Sequence, residues 1–116
     1  MGREYMKTLK FRHNLVHKIL DGSKNVTWRL FDDKDLQTGD QLEFIDWETG
    51  NKFAEAEIVG VREKKLGEIS KKDFEGHEKY GNKQEILQHY RECYGEKVNM
   101  DTVIKIVEFK LLRASQ

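Results

Sequence analysis

Leu20-Asp-Gly-Ser-Lys-Asn-Val-Thr-Trp-Arg29 is the stretch on which the fold turns. Ahead of it, Leu15, Val16, Ile19 and Leu20 form the apolar face of a short amphipathic segment, which Gly22 stops. The chain then becomes extended through Val26 and Trp28 as far as Leu30. Alternation puts Thr27 and Arg29 on the face opposite Val26 and Trp28. Lys24 stands just before that strand. A primary amine, a hydroxyl and a guanidinium are thereby gathered close to a helix C-terminus.

Outward from this stretch, the chain reads as strands joined by short turns, with a few helices set between them. Thr8–Phe11 forms a short strand, and either His13 or Asn14 opens the helix behind it. After the polar excursion Phe31–Asp35, Gly39-Asp40 signals a turn into a strand over Gln41–Ile45. Glu48–Lys52 reads as a hairpin turn, and Phe53–Val61 continues extended, with Gly60 marking a bulge or a tight bend. Arg62 to Gly67 is a charged connection or a further strand end.

The periodicity then changes. Ile69–Phe74 reads as one helical turn capped by Ser70, with Asp73 as its box partner. Glu75–Gly81 is a loop. Asn82 caps a helix over Lys83–Tyr94, which Glu85 supports and Gly95 ends. Its apolar stripe is Ile86, Leu87, Tyr90, Cys93 and Tyr94. Thr102–Leu112 is the strongest strand pattern in the chain. This order predicts a mixed α/β (α+β) fold, a small β-barrel with inserted helices, with a sheet flanked by helices as the alternative, in one domain over residues 1–116.

Composition narrows the function classes. The 116 residues carry 21 basic and 21 acidic side chains, so the formal net charge is zero. That argues against non-specific wrapping of duplex nucleic acid, while leaving room for a locally basic pocket. No apolar run approaches a membrane-spanning length and the N-terminus lacks a secretory apolar stretch. With a single cysteine, Cys93, no intrachain disulfide forms, and a cytoplasmic location is the expectation. Leu111 and Leu112 either close the core or face a partner, so the oligomeric state stays open.

Gly22-Ser-Lys24-Asn-Val-Thr27-Trp-Arg29, followed by Thr38-Gly-Asp40 opening a strand, resembles the ASCH family. So does the late pairing of a helix ending in Tyr94-Gly95 with the strand Ile106-Val-Glu-Phe109. The likeness runs from about Phe11 to Leu112. It implies a PUA-like β-barrel and a partner that is RNA or a modified nucleoside. One small bacterial branch is similar to amidohydrolases that remove the acetyl group from acetylated cytidine, using a lysine and a threonine of this motif and a later glutamate. Lys24 and Thr27 match those positions, Arg29 matches the motif arginine, and Glu78 best matches the glutamate, with Glu75 its rival. The chain departs from that branch in two places. Trp28 replaces a smaller aliphatic residue, and the loop from Lys64 to Tyr80 is longer and more charged.

Each candidate has a plainer reading. Lys24 and Thr27 are equally a solvated turn lysine and a β-forming threonine, and Arg29 equally an ion-pair partner of Asp40 or Glu43. In an enzyme, a desolvated Lys24 would take the Thr27 proton and Glu78 would pass it to the leaving amine. As a binding site, Lys24, Thr27 and Arg29 would line a cleft, with Trp47 near the hairpin turn stacking a base. Trp28 shares the core-facing side with Val26. His13 and His17 have helical metal-ligand spacing without the glutamate of the hydrolase motif, so neither a metal nor a cofactor is expected. Cys93 reads as a small buried hydrophobe, and Arg62-Glu-Lys-Lys65 as a solvated rim or, less simply, an RNA-backbone contact.

Overall fold

The computed structural model describes residues 6–31, 34–77 and 80–114. Strands β1 (Lys7–Phe11), β2 (Val26–Leu30), β3 (Gln41–Asp46), β4 (Lys52–Lys65) and β5 (Val103–Ala114) form one mixed sheet in the order β1-β3-β4-β5-β2. Only β1 and β3 run parallel; every other neighbouring pair is antiparallel. Helix α1 (His13–Leu20) connects β1 to β2. Two 3-10 turns, Leu66–Glu68 and Lys71–Phe74, and helix α2 (Lys83–Tyr94) connect β4 to β5. The sheet curves into a half-barrel with two helices, an α+β architecture of the kind the strand and helix order predicts. Among the described residues, no helix is long and apolar enough to cross a membrane.

Curvature comes from local irregularities. The register between β4 and β5 shifts between Ile58 and Gly60, so the predicted bulge is present. At the β3–β4 hairpin the Gly50 amide donates to Asp46 O at 2.7 Å, with Gly50 at φ +75°.

Strand β5 is the wall between two cores. Its side chains alternate: Val107 and Phe109 join Leu9, Phe11, Phe44 and Ile58 inside the half-barrel, where α1 supplies Ile19. Ile104 and Ile106 face the other way, onto Val26, Trp28, Leu30, Ile86 and Tyr90 of β2 and α2. A strand buried on both faces explains why this stretch carries the strongest apolar pattern in the chain.

The start of α1 differs from expectation. Arg12 occupies the cap position, and neither His13 nor Asn14 caps with its side chain. Glu48, from the β3–β4 turn, supplies the acceptor instead: its carboxylate takes the His13 amide at 3.0 Å and the Arg12 guanidinium at 3.1 and 3.2 Å. At the other helix, Asn82 Oδ1 accepts the Glu85 amide at 3.0 Å as predicted, while the Glu85 carboxylate reaches Gly81 N.

Candidate functional site at the start of strand β2

The chain leaves α1 through a turn that satisfies the helix end. Gly22 adopts φ +87°, and Lys18 O accepts both the Lys24 amide at 3.0 Å and the Ser23 hydroxyl at 3.2 Å. This turn directs Lys24 inward. Its side chain is 3% exposed, and the ammonium donates to Val26 O at 2.7 Å. The plain reading of a solvated turn lysine is therefore wrong for this chain.

The backbone of β2 explains the geometry. Asn25 O accepts the Phe109 amide in the ladder with β5, so the next residue, Val26, turns its own amide and carbonyl to the open edge. The Val26 amide is taken by Gly76 O at 3.1 Å and its carbonyl by Lys24. Gly76 O also accepts the Asn25 amide at 3.0 Å. Lys24 and the loop around Gly76 thus share the covering of one exposed strand edge.

Thr27 is 4% exposed. It lies opposite Val107 on β5, and cross-strand partners share a face, so Thr27 points into the half-barrel, away from Trp28. Arg29 takes the same side. Its guanidinium donates to Lys10 O at 3.0 Å and sits 4.9 Å from the centre of the Phe11 ring, joining edge strand β2 to edge strand β1. The anticipated carboxylates are engaged elsewhere, Asp40 with Lys7 at 2.7 Å and Glu43 with Lys52 at 3.6 Å.

Trp28 is core, as its alternation predicted. The His77 ring lies nearly flat on it, with centroids 4.0 Å apart and planes 15° apart, and Phe74, Tyr80 and Tyr90 surround the pair. Glu75 is exposed beside Gly76. Glu78 lies outside the described residues. Trp47 is 62% exposed, with the Arg12 guanidinium 5.7 Å from its ring centre. Its amide bonds to Phe11 O ahead of α1, whereas Lys24 bonds to the last turn of that helix. Lys24 and Thr27 thus both belong to the start of β2, three residues apart in sequence, and Trp47 stands at the far end of α1.

The chain matches none of the family models against which it was searched, and no curated protein matches it. Solved structures do match. Protein EF3133 from Enterococcus faecalis superposes with a TM-score of 0.81 at 13% identity, covering 98% of this chain and 85% of that one. The ASCH domain from Lactobacillus crispatus gives 0.63 at 23% identity, over 84% and 70% of the two chains. ASCH from Zymomonas mobilis gives 0.64 at 11% identity, over 92% and 70%. The fold is that of ASCH domains.

Within this ASCH fold, several residues stand where the sequence did not place them. Cys93 is exposed, not buried. It falls on the rim of the α2 stripe, and Tyr94, half-buried against Tyr90, takes the inward position. Arg62 and Lys64, read as solvated rim, alternate on one face of β4 and both pair with Asp73, at 2.5 and 2.9 Å. The Asp73 carboxylate is itself buried and also accepts the Ser70 amide and hydroxyl. This cluster pins the second 3-10 turn, and with it the start of the 75–81 loop, to the end of β4. Two surface cavities of about 440 and 480 Å³ flank the first turn of α2, sharing Tyr80 and Asn82; neither is lined by Lys24 or Thr27. Among the described residues, no three His, Cys, Asp or Glu side chains are grouped to hold a metal ion. His13 and His17 lie against Asp46 and Asp21 instead.

Proposed function

We propose that the start of β2 recognises a modified nucleoside, and that RNA is bound, where it is bound, as a short single strand. The observation that carries this reading is that Lys24 and Thr27, three residues apart, are both buried at the start of an edge strand. Moving an ammonium out of water is costly. A lysine held there supports a site in which charge is aimed at a ligand acceptor, with the threonine hydroxyl three residues on. Net neutrality favours a small ligand over a long phosphate backbone. Capping of the Val26 carbonyl is the purely structural alternative, and ligand titration separates the two.

Purified protein is titrated with cytidine, acetylated cytidine and short single-stranded RNA at two salt concentrations. The expected result is saturable nucleoside binding, little affected by salt, and weakened at least about tenfold in folded Lys24→Met and Thr27→Val variants. Binding that follows salt alone and survives replacement of Lys24, Thr27 and Arg29 by alanine overturns the proposal.

A second reading is favoured by the bonds of the Asn25 and Val26 amides to Gly76 O, next to Glu75. In an amidohydrolase acting on acetylated cytidine, Lys24 takes the proton of Thr27, or of a water that Thr27 positions, as that oxygen attacks the acetyl carbonyl. The C–N bond breaks, and a carboxylate of the 75–81 loop, Glu78 or Glu75, passes the proton to the leaving amine. Acetate departs, after hydrolysis by water where the acetyl group has passed to Thr27. Release of cytidine that collapses in Lys24→Ala and Thr27→Ala distinguishes this reading from binding alone. Absence of turnover by folded wild-type protein across a panel of acylated nucleosides removes it.

A further inference from the structure

Gly76 and His77 meet β2 through two different contacts within four residues of Lys24. One is backbone: Gly76 O accepts the Asn25 and Val26 amides at 3.0 and 3.1 Å. That approach favours glycine. Gly76 sits at φ +76°, and a Cβ there would lie 1.9 Å from Asn25 Oδ1. The other contact is the His77 ring on Trp28, which is 3% exposed and fixed from its other sides by Phe74 and Tyr90. The imidazole is itself 8% exposed. An aromatic pair at this spacing and tilt gains dispersion and apolar burial whatever acid–base chemistry the ring has.

From this arrangement we infer that His77 is a positioning residue: its stack on Trp28 seats Gly76 O on the edge of β2 and so fixes the carboxylate-bearing loop against the segment that begins at Lys24. The inference rests on the reading of Lys24 and Thr27 as the site for its functional consequence, and on geometry alone for the latch itself. Glu75 precedes the latch immediately, and Asp73 anchors the chain two residues before that. The loop is therefore held at two points, by ions on the β4 side and by a ring stack on the β2 side. Trp28 also gains a role in this arrangement, because a small aliphatic side chain at its position would offer His77 no ring to lie on.

Amide hydrogen exchange followed by NMR on the full chain tests the latch without any ligand. His77→Ala is expected to speed exchange at Asn25 and Val26 by at least about tenfold while Phe109, bonded to Asn25 O in the ladder, keeps its protection. His77→Phe, which retains a flat ring, is expected to return both amides to within about threefold of wild type. Unchanged exchange in His77→Ala overturns the inference, and so does a loss spread equally along β5, which would make His77 a support of the whole fold. Nucleoside affinity, or cytidine release if turnover is found, supplies the second readout. It is expected to fall in His77→Ala, chiefly in kcat for an enzyme with KM little moved, and to recover in His77→Phe. Faster exchange with unaltered affinity and kcat overturns the positioning role, and equal loss in both variants makes the imidazole itself the participant. Wild-type protein that neither binds nor turns over a nucleoside defeats the proposed function and the positioning role tied to it, while the exchange data still decide the latch.

Discussion

The Asp73 carboxylate lies 2.9 Å from the ammonium of Lys64, nine residues earlier and on a different element, with 1% of the aspartate side chain exposed. Arg62 approaches its other oxygen, and Ser70 contributes an amide and a hydroxyl. Deleting the carboxylate strands two cations and an amide around a hole. Asp73→Ala is expected to lower unfolding free energy by about 2 kcal/mol, below the range for fully buried pairs because both cations are partly exposed. Urea denaturation measures it, and a loss under about 0.5 kcal/mol refutes it.

The same group governs acid stability. Burial alone would raise the Asp73 carboxyl, but hydrogen bonds from Lys64, Ser70 and Arg62 outweigh it and hold the group far below the ordinary aspartate value. A carboxyl lowered on folding contributes stability above its unfolded value, about 3.9, and loses it as pH falls toward the folded one. Wild-type protein should therefore lose stability progressively below about pH 4. The decline should be shallower in Asp73→Asn, when midpoints are compared across an acid series.

His13 predicts the opposite slope. Its ring lies 2.6 Å from an Asp46 oxygen, and that hydrogen bond holds its pKa above the ordinary histidine value. A raised histidine contributes stability that is complete below about pH 6.5 and lost as pH climbs through the folded pKa. NMR titration of the His13 ring is expected to give a midpoint above that of a free histidine, returning toward it in Asp46→Asn. An unchanged midpoint in the variant rules out the pairing.

Two glycines with similar dihedrals separate strain from collision. Gly22, at φ +87°, has open space where a Cβ would go, whereas at Gly76 the same atom meets Asn25. Gly22→Ala is expected to cost about 1 kcal/mol, from backbone strain alone. Gly76→Ala is expected to cost about 2 kcal/mol, as the Asn25 side chain must also be displaced and the Val26 methyl crowded. Equal losses by chemical denaturation would mean that the close approach carries no weight.

Local pattern made much of this fold legible. Val26–Leu30 alternates and appears as β2, Gly60 sits at a register shift, and Asn82 caps α2, because each signal lies within a few residues of its effect. What stayed hidden depends on distant partners. Glu48 caps α1 from 35 residues away, and no spacing near His13 announces it. Pattern left Lys24 open between a pocket lysine and a solvated turn lysine; its burial follows from the open edge of β2, which only the β2–β5 pairing creates. His77, a lone histidine in a charged loop, carried no signal for stacking on a tryptophan 49 positions earlier. Cys93 shows the limit of periodicity at a stripe's rim, where a small angular offset decides exposure.

The sheet order has a consequence for how the chain is made. Strand β2 pairs with β5 alone, and its partners, Ile104–Glu108, follow it by about eighty residues. At ordinary rates of synthesis the interval is roughly 4–16 s. During that time Val26, Trp28 and Leu30 have left the ribosome with no strand to join, whereas β3 and β4 can close their hairpin at once. The nascent polypeptide thus exposes an apolar, tryptophan-bearing strand until β5 arrives, and that interval is when chaperones have the most to protect.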